Sequence, residues 1–138
     1  MAGISFDGLD EFLLSMEEVE AMPEYVQDEM LNAQADFLIP EIQARGRAYG
    51  VGSGNLLKSI KKGKPKRGKK GGRQMIVAPR GKNKTSGTPN GYVGFLNNYG
   101  SRHNTAKPFW TDTVSMSEKS LNQVAATVYD EWLKSKNL

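Results

Sequence analysis

Sixteen lysines and arginines stand between residues 45 and 110 without a single acid, and eleven acids stand before residue 45 without a single lysine or arginine. Residues 111–138 add four acids and three lysines, so the formal net charge of +4 conceals a strongly polarised chain. A chain divided in this way has two courses open to it. It can fold its acidic part against its basic part within one subunit, or it can keep two surfaces of opposite sign for other molecules, either a polyanion or further copies of itself arranged head to tail.

The 138 residues make one ordinary domain with one core. With 38% hydrophobic and 25% charged residues, the composition is that of a globular protein rather than a disordered one. The absence of cysteine removes disulfides, thiolate metal sites and cysteine nucleophiles together. The opening MAGISFDGLDEF lacks the basic start and apolar core of a signal peptide, and no apolar run approaches the ~20 residues that cross a bilayer. A soluble protein made in the cytoplasm is therefore expected, and the sequon Asn83-Lys84-Thr85 reads as chance.

Along the chain, Leu9, Phe12, Leu13, Met16 and Val19 fall at helical spacing from Asp7 onward, which predicts an amphipathic helix with an acidic outer face. A second helix is expected from Pro23 through Tyr25, Val26, Met30, Ala33, Phe37 and Leu38, kinked or ended by Pro40 and able to resume as far as Gly46. The four glycines of GRAYGVGSG, residues 46–54, predict a flexible connection. Leu56, Leu57 and Ile60 form a short apolar turn, and residues 61–72 read as a loop or hairpin tip. Gln74–Ala78 reads as a strand, and Tyr92–Tyr99 as another. From Pro108 the period changes, with Val114, Leu121, Val124, Ala125, Val128, Trp132 and Leu133 marking one face of a long C-terminal helix. The class is α+β: N-terminal helices and a long C-terminal helix on a small, mostly antiparallel sheet with a basic hairpin loop at about 61–73.

Catalysis finds little to stand on. Ser101, His103 and Asp112 are triad residue types, but a triad is defined by geometry and not by closeness in sequence. A single histidine without cysteine makes no zinc site, and no cofactor is expected. In RGKNKTSG, Gly81-Lys82 is followed by Asn83 where a phosphate loop needs serine or threonine.

The basic run is the stronger signal. Lys61, Lys62, Lys64, Lys66, Arg67, Lys69, Lys70, Arg73, Arg80, Lys82 and Lys84 are candidates for contact with a partner or with DNA. No aromatic residue interleaves the run and no nucleic-acid-binding signature accompanies it, so any such contact is expected to be nonspecific and to the phosphate backbone. The stretch GFLNNYGSRHNTAKPFW, residues 94–110, reads as a strand-to-helix corner. With Tyr92 just before it, Phe95 and Tyr99 supply bulk, Gly100 the turn, Pro108 the first helical turn, and Phe109 and Trp110 the anchors of the new helix.

Two stretches, SGNLLKSI (Ser53 to Ile60) and YVGFLNNYGSRHNTAKPFW (Tyr92 to Trp110), resemble elements of the gene-product-ten-like proteins of lambdoid phages, a family related to minor tail protein Z. The opening ISFDGLDEFLLSMEEV is similar to that family's first strand and helix. This chain has Ser101 after Gly100 where the family often has threonine, and Asn55 and Leu57 where arginines are common. The resemblance implies a non-enzymatic structural protein, a ring at the head-tail junction or upper tail of a phage or prophage-derived particle. Implied with it are copies of itself and other neck, connector or tail-tube proteins as partners, contact with passing DNA through the basic loop, no membrane, and a place in the virion.

Overall fold

The computed structural model describes residues 2–7, 11–16, 22–51, 54–69, 71–84 and 86–136. Its class is α+β. The chain opens with a hairpin, β1 (Ala2–Asp7) and β2 (Glu11–Met16), followed by helix α1 (Glu24–Ala48), a short helix α2 (Gly54–Lys58) and strands β3 (Ile60–Lys62), β4 (Lys66–Arg67) and β5 (Arg73–Pro79). Helices α3 (Asn90–Tyr99) and α4 (Phe109–Lys136) complete it.

β5 is the middle of a five-stranded sheet with every pairing antiparallel. Val77 lies between Phe12 of β2 and Lys62 of β3, and Gln74 between Ser15 of β2 and Lys66 of β4. β3 and β4 therefore share one edge, while β1, beyond β2, forms the other. The segment expected as a loop over 61–72 thus supplies two short edge strands, beyond which the Gly68 N–H donates to the Gly72 carbonyl. Lysines and a proline are what an edge strand carries to discourage unwanted pairing, and Lys61, Lys62, Lys64, Pro65 and Lys66 fit that pattern.

Met75 and Val77 of β5 are fully buried with Ile60 of β3. α1 packs on the sheet and along α4. Its Val26, Leu31, Ala35, Leu38 and Ile42 are wholly buried; of the residues that predicted the helix, Val26, Met30 and Leu38 enter the core, Phe37 packs at its margin and Tyr25 is exposed. Pro23 is the residue before the helix, its carbonyl accepting from the N–H of Val26 at 3.1 Å. Pro40 does not end the helix. Its ring and Asp36, whose carbonyl loses its usual partner, are both exposed, while Leu38 and Ile42 on either side are held in the core. Packing offsets a lost bond of this kind.

In α4 the buried positions Phe109, Thr113, Ser117, Leu121 and Ala125 recur every four residues. The expected face is present in Leu121 and Ala125, with Val114, Val128 and Trp132 packed at its margin. Thr113 and Ser117, which no apolar pattern marks, are buried with them, Thr113 through a hydrogen bond from its hydroxyl to the Phe109 carbonyl, and α4 packs along α1. There Gln34 Nε2 donates to the Leu121 carbonyl at 3.1 Å.

Two further expectations are overturned. The helix predicted from Asp7 is a β-hairpin where it is described, because β2 finds a ladder of partners on β5; Leu9 and Val19 lie outside the described residues. The strand predicted over Tyr92–Tyr99 is helix α3, with its carbonyl and N–H groups satisfied internally. Among the described residues no helix is long and apolar enough to cross a membrane.

Candidate functional site

The polarised sequence is partly neutralised within the subunit. Arg73 on β5 is held to Asp28 of α1 by two hydrogen bonds, Nε to Oδ1 at 2.8 Å and Nη2 to Oδ2 at 3.1 Å, with Glu24 close by. The hydrogen bond to Asp28 raises the Arg73 pKa above its ordinary value, against the burial that opposes it. Lys62 of β3 reaches Asp36 at 2.7 Å, and Arg67 of β4 stands 3.8 Å from Glu24. Three of the sequence-predicted contact residues, Lys62, Arg67 and Arg73, are thus engaged by one row of acids on α1. Arg73 is a structural brace between helix and sheet and not a residue free for partners.

The rest face outward. Lys61, Lys64, Lys66, Lys69, Arg80, Lys82 and Lys84 are exposed and have no ion pair among the described residues; Lys70 lies outside them. Arg80 joins the two cationic segments in space. Its N–H donates to the Ser59 carbonyl at 2.9 Å, and its guanidinium lies so near the bend between β3 and β4 that a Cβ at Gly63 would stand 3.0 Å from Nη2. The turn that carries Lys82 and Lys84 is closed by its own bonds, Asn83 N–H to the Thr88 carbonyl and Asn90 N–H to the Gly81 carbonyl. Cations gathered without an acid among them repel one another, and an anionic neighbour relieves that repulsion.

The corner that follows joins two helices, and the aromatics of α3 do not pack it as predicted. Tyr92 and Tyr99 are 56% and 45% exposed, and the ring of half-buried Phe95 lies 5.0 Å from that of Tyr99. Partial burial raises the Tyr99 hydroxyl pKa above its ordinary value. α3 instead buries Asn90, Gly91, Gly94 and Asn98. Gly94 permits close approach, since a Cβ there would already touch Leu56 and Pro79 at 3.5 Å. Asn90 accepts from Asn55 Nδ2 of α2 at 3.1 Å and donates to the Arg80 carbonyl at 2.8 Å. The two stretches Ser53 to Ile60 and Tyr92 to Trp110 therefore meet at α2 and α3.

Asn98 Oδ1 accepts from the backbone N–H groups of Trp110 and Thr111, which begin α4. Gly100, at φ +80°, reverses the chain, and Phe109 and Trp110 are buried edge to face as anchors. Pro108 stands just before α4 and its carbonyl accepts from the Asp112 N–H at 3.0 Å. Sequence reading overlooked Asn90 and Asn98; their spacing with Gly94, four residues apart each time, was the available signal.

Residues 101–106 project from the corner and are all exposed. Ser101 Oγ accepts from Asn104 Nδ2, and Asp112 accepts from the Tyr49 hydroxyl at 2.7 Å. Among the described residues no hydrogen bond joins His103 to either, and no group of three or more His, Cys, Asp or Glu is placed to hold a metal. Compared with family models, curated proteins and solved structures, the chain matches none.

Proposed function

We propose that the protein is a structural subunit of a tailed phage or prophage-derived particle, forming a ring at the head-tail junction or the upper tail. One observation carries this reading furthest. Residues 1–20 contain six acids and no lysine or arginine, and β1 of this segment is one edge of the sheet; the exposed lysines of β3 and β4 occupy the other. The backbones of Asp7 and Glu11 are paired in register at the closed end of that hairpin. Of the six acids only Asp7 is on β1, with Glu11 on β2, and the other four lie outside the described residues. A chain with separate acidic and basic segments favours head-to-tail contacts between unlike surfaces, the geometry that closes into rings. The resemblance to neck and tail-completion proteins supports the same reading, and the virion is then the protein's place of action.

Particles made without the protein should show filled heads and tails that fail to join, or defective tails. Normal plaque yield after its deletion contradicts the proposal.

A second reading draws on the seven outward cations alone: nonspecific binding of nucleic acid through phosphate contacts. Each neutralised phosphate releases counterions, so duplex affinity should fall steeply with salt. An affinity that ignores salt excludes it.

A further inference from the structure

The pleat of the sheet sorts the basic run into two sets. Side chains alternate between the faces of a strand, so the register of β3 and β4 against β5 fixes which cations share a side. Met75 and Val77 of β5 are fully buried on the side that α1 covers, and Lys62, Arg67 and Arg73 share that side and reach the acids of α1. Lys61 and Lys66 fall on the other. They pair with Ala78 and Gln74, which alternate with the buried positions, and both are exposed without an ion pair among the described residues.

Arg80 belongs with this second set. It follows Pro79 in the parity of Ala78 and Gln74, and its guanidinium lies beside Gly63, whose N–H donates to the Ile76 carbonyl at 2.7 Å. The three cations therefore stand opposite Ala78, Ile76 and Gln74, two residues apart on β5, or roughly 7 Å a step at ~3.4 Å per residue. Successive phosphates along the wound backbone of one nucleic-acid strand recur at a similar interval, each carrying one negative charge. Residues 45–110 contain no acid to neutralise the row, and Glu11, at the end of β2, is two strands away from β3. Residues 50–91 contain no aromatic on which a base could stack, so the contact that fits is to the phosphates of a duplex and not to unpaired bases.

We propose that the sheet face opposite α1 holds one strand of duplex DNA by its phosphates, through Lys61, Arg80 and Lys66. The inference rests on the second reading of the outward cations and names the surface that makes the contact. It leaves Lys64 and Lys69, in the turns of the β3–β4 edge, to a neighbouring copy.

Duplex titrations of the full chain at several salt concentrations test it, with Lys61→Gln/Lys66→Gln/Arg80→Gln beside Lys119→Gln/Lys134→Gln/Lys136→Gln, which removes the same charge from α4. The magnitude of the slope of log affinity against log salt should fall by about 2.7 for the first variant, ~0.9 for each lost phosphate contact, and stay near the wild-type value for the second. In the wild type, bound duplex should protect Lys61 and Lys66 from acetylation and leave Lys119 reactive by mass spectrometry, a readout independent of how the variants fold. Equal losses in the two variants, or no protection of Lys61 and Lys66, overturn the row and leave nonspecific binding standing. A wild type that ignores duplex at low salt overturns the row and the second reading together; whether the chain is present in particles then decides the ring reading separately. Polyglutamate bound by the wild type as tightly as duplex of equal charge overturns DNA in favour of an acidic protein surface.

Discussion

Asn98, at the end of one helix, caps the next: its Oδ1 lies 3.1 Å from the backbone nitrogens of both Trp110 and Thr111. The side chain is buried, so the first turn of α4 has no water to replace it. Asn98→Ala should cost about 1–2 kcal/mol, read as a lowered urea midpoint at unchanged slope. Asn98→Asp keeps the acceptor and sets a negative charge at a helix N-terminus, so it should lose less.

Gly100 bears a sharper constraint than its sequence neighbours. With φ at +80°, a Cβ there would stand 2.8 Å from the Ala106 nitrogen and 3.0 Å from the Asn104 carbonyl oxygen, both backbone atoms. Gly50 has a similar φ of +71° and open space around it. Gly50→Ala should therefore cost about 1–2 kcal/mol for conformation alone, and Gly100→Ala clearly more. Equal melting temperatures for the two would show that the corner yields.

Burial separates the aromatics of the corner into two groups. Phe109 is fully buried, so Phe109→Ala should cost about 3–5 kcal/mol in chemical denaturation. Tyr92 is 56% exposed, and Tyr92→Ser should change stability by less than about 1 kcal/mol.

Two ion pairs join α1 to the sheet under different conditions of solvation. Arg73 and Asp28 have side chains only 17% and 26% exposed and share two hydrogen bonds, so Arg73→Met, which leaves the carboxylate without its partner, should cost about 1–3 kcal/mol. Lys62 and Asp36, at 36% and 63%, are open to water, and Lys62→Met should cost less than about 1 kcal/mol. Added salt should narrow the loss at Lys62 and leave that at Arg73 nearly unchanged.

The outward lysines should matter for assembly and not for folding. Changing Lys61, Lys64, Lys66 and Lys69 together to Gln should leave the melting temperature of the isolated chain within a few degrees and reduce the yield of joined particles. A large loss of monomer stability would show that the edge is held by those side chains.

Much of this architecture is legible in the residues. α1, β5 and α4 follow from apolar spacing, because their inward faces are long and made of unmistakable core residues such as Leu38, Ile42, Met75, Val77 and Leu121. The two errors have one cause. Leu9, Phe12, Leu13 and Met16 share the spacing i, i+3, i+4, i+7 with Tyr92, Phe95, Leu96 and Tyr99, yet the first set falls on a hairpin where it is described and the second on a helix. Pairing with β5, some sixty residues downstream, decides the first case. In the second, β-favouring aromatics hide a helix whose inward face is asparagine and glycine. The lysine run was plain as a charged surface. That α1 would claim Lys62, Arg67 and Arg73 depends on register between distant elements, which composition does not carry.

In the proposed function, the acidic N-terminal segment and the lysine-bearing β3–β4 edge join copies of this chain around a conduit. Electron cryomicroscopy of the assembled particle at its neck tests it most directly. A closed ring of this chain is expected, with the lysine-bearing β3–β4 edge set against an acidic surface of the neighbouring copy or ring. Complete, infectious particles that contain none of the chain would contradict it.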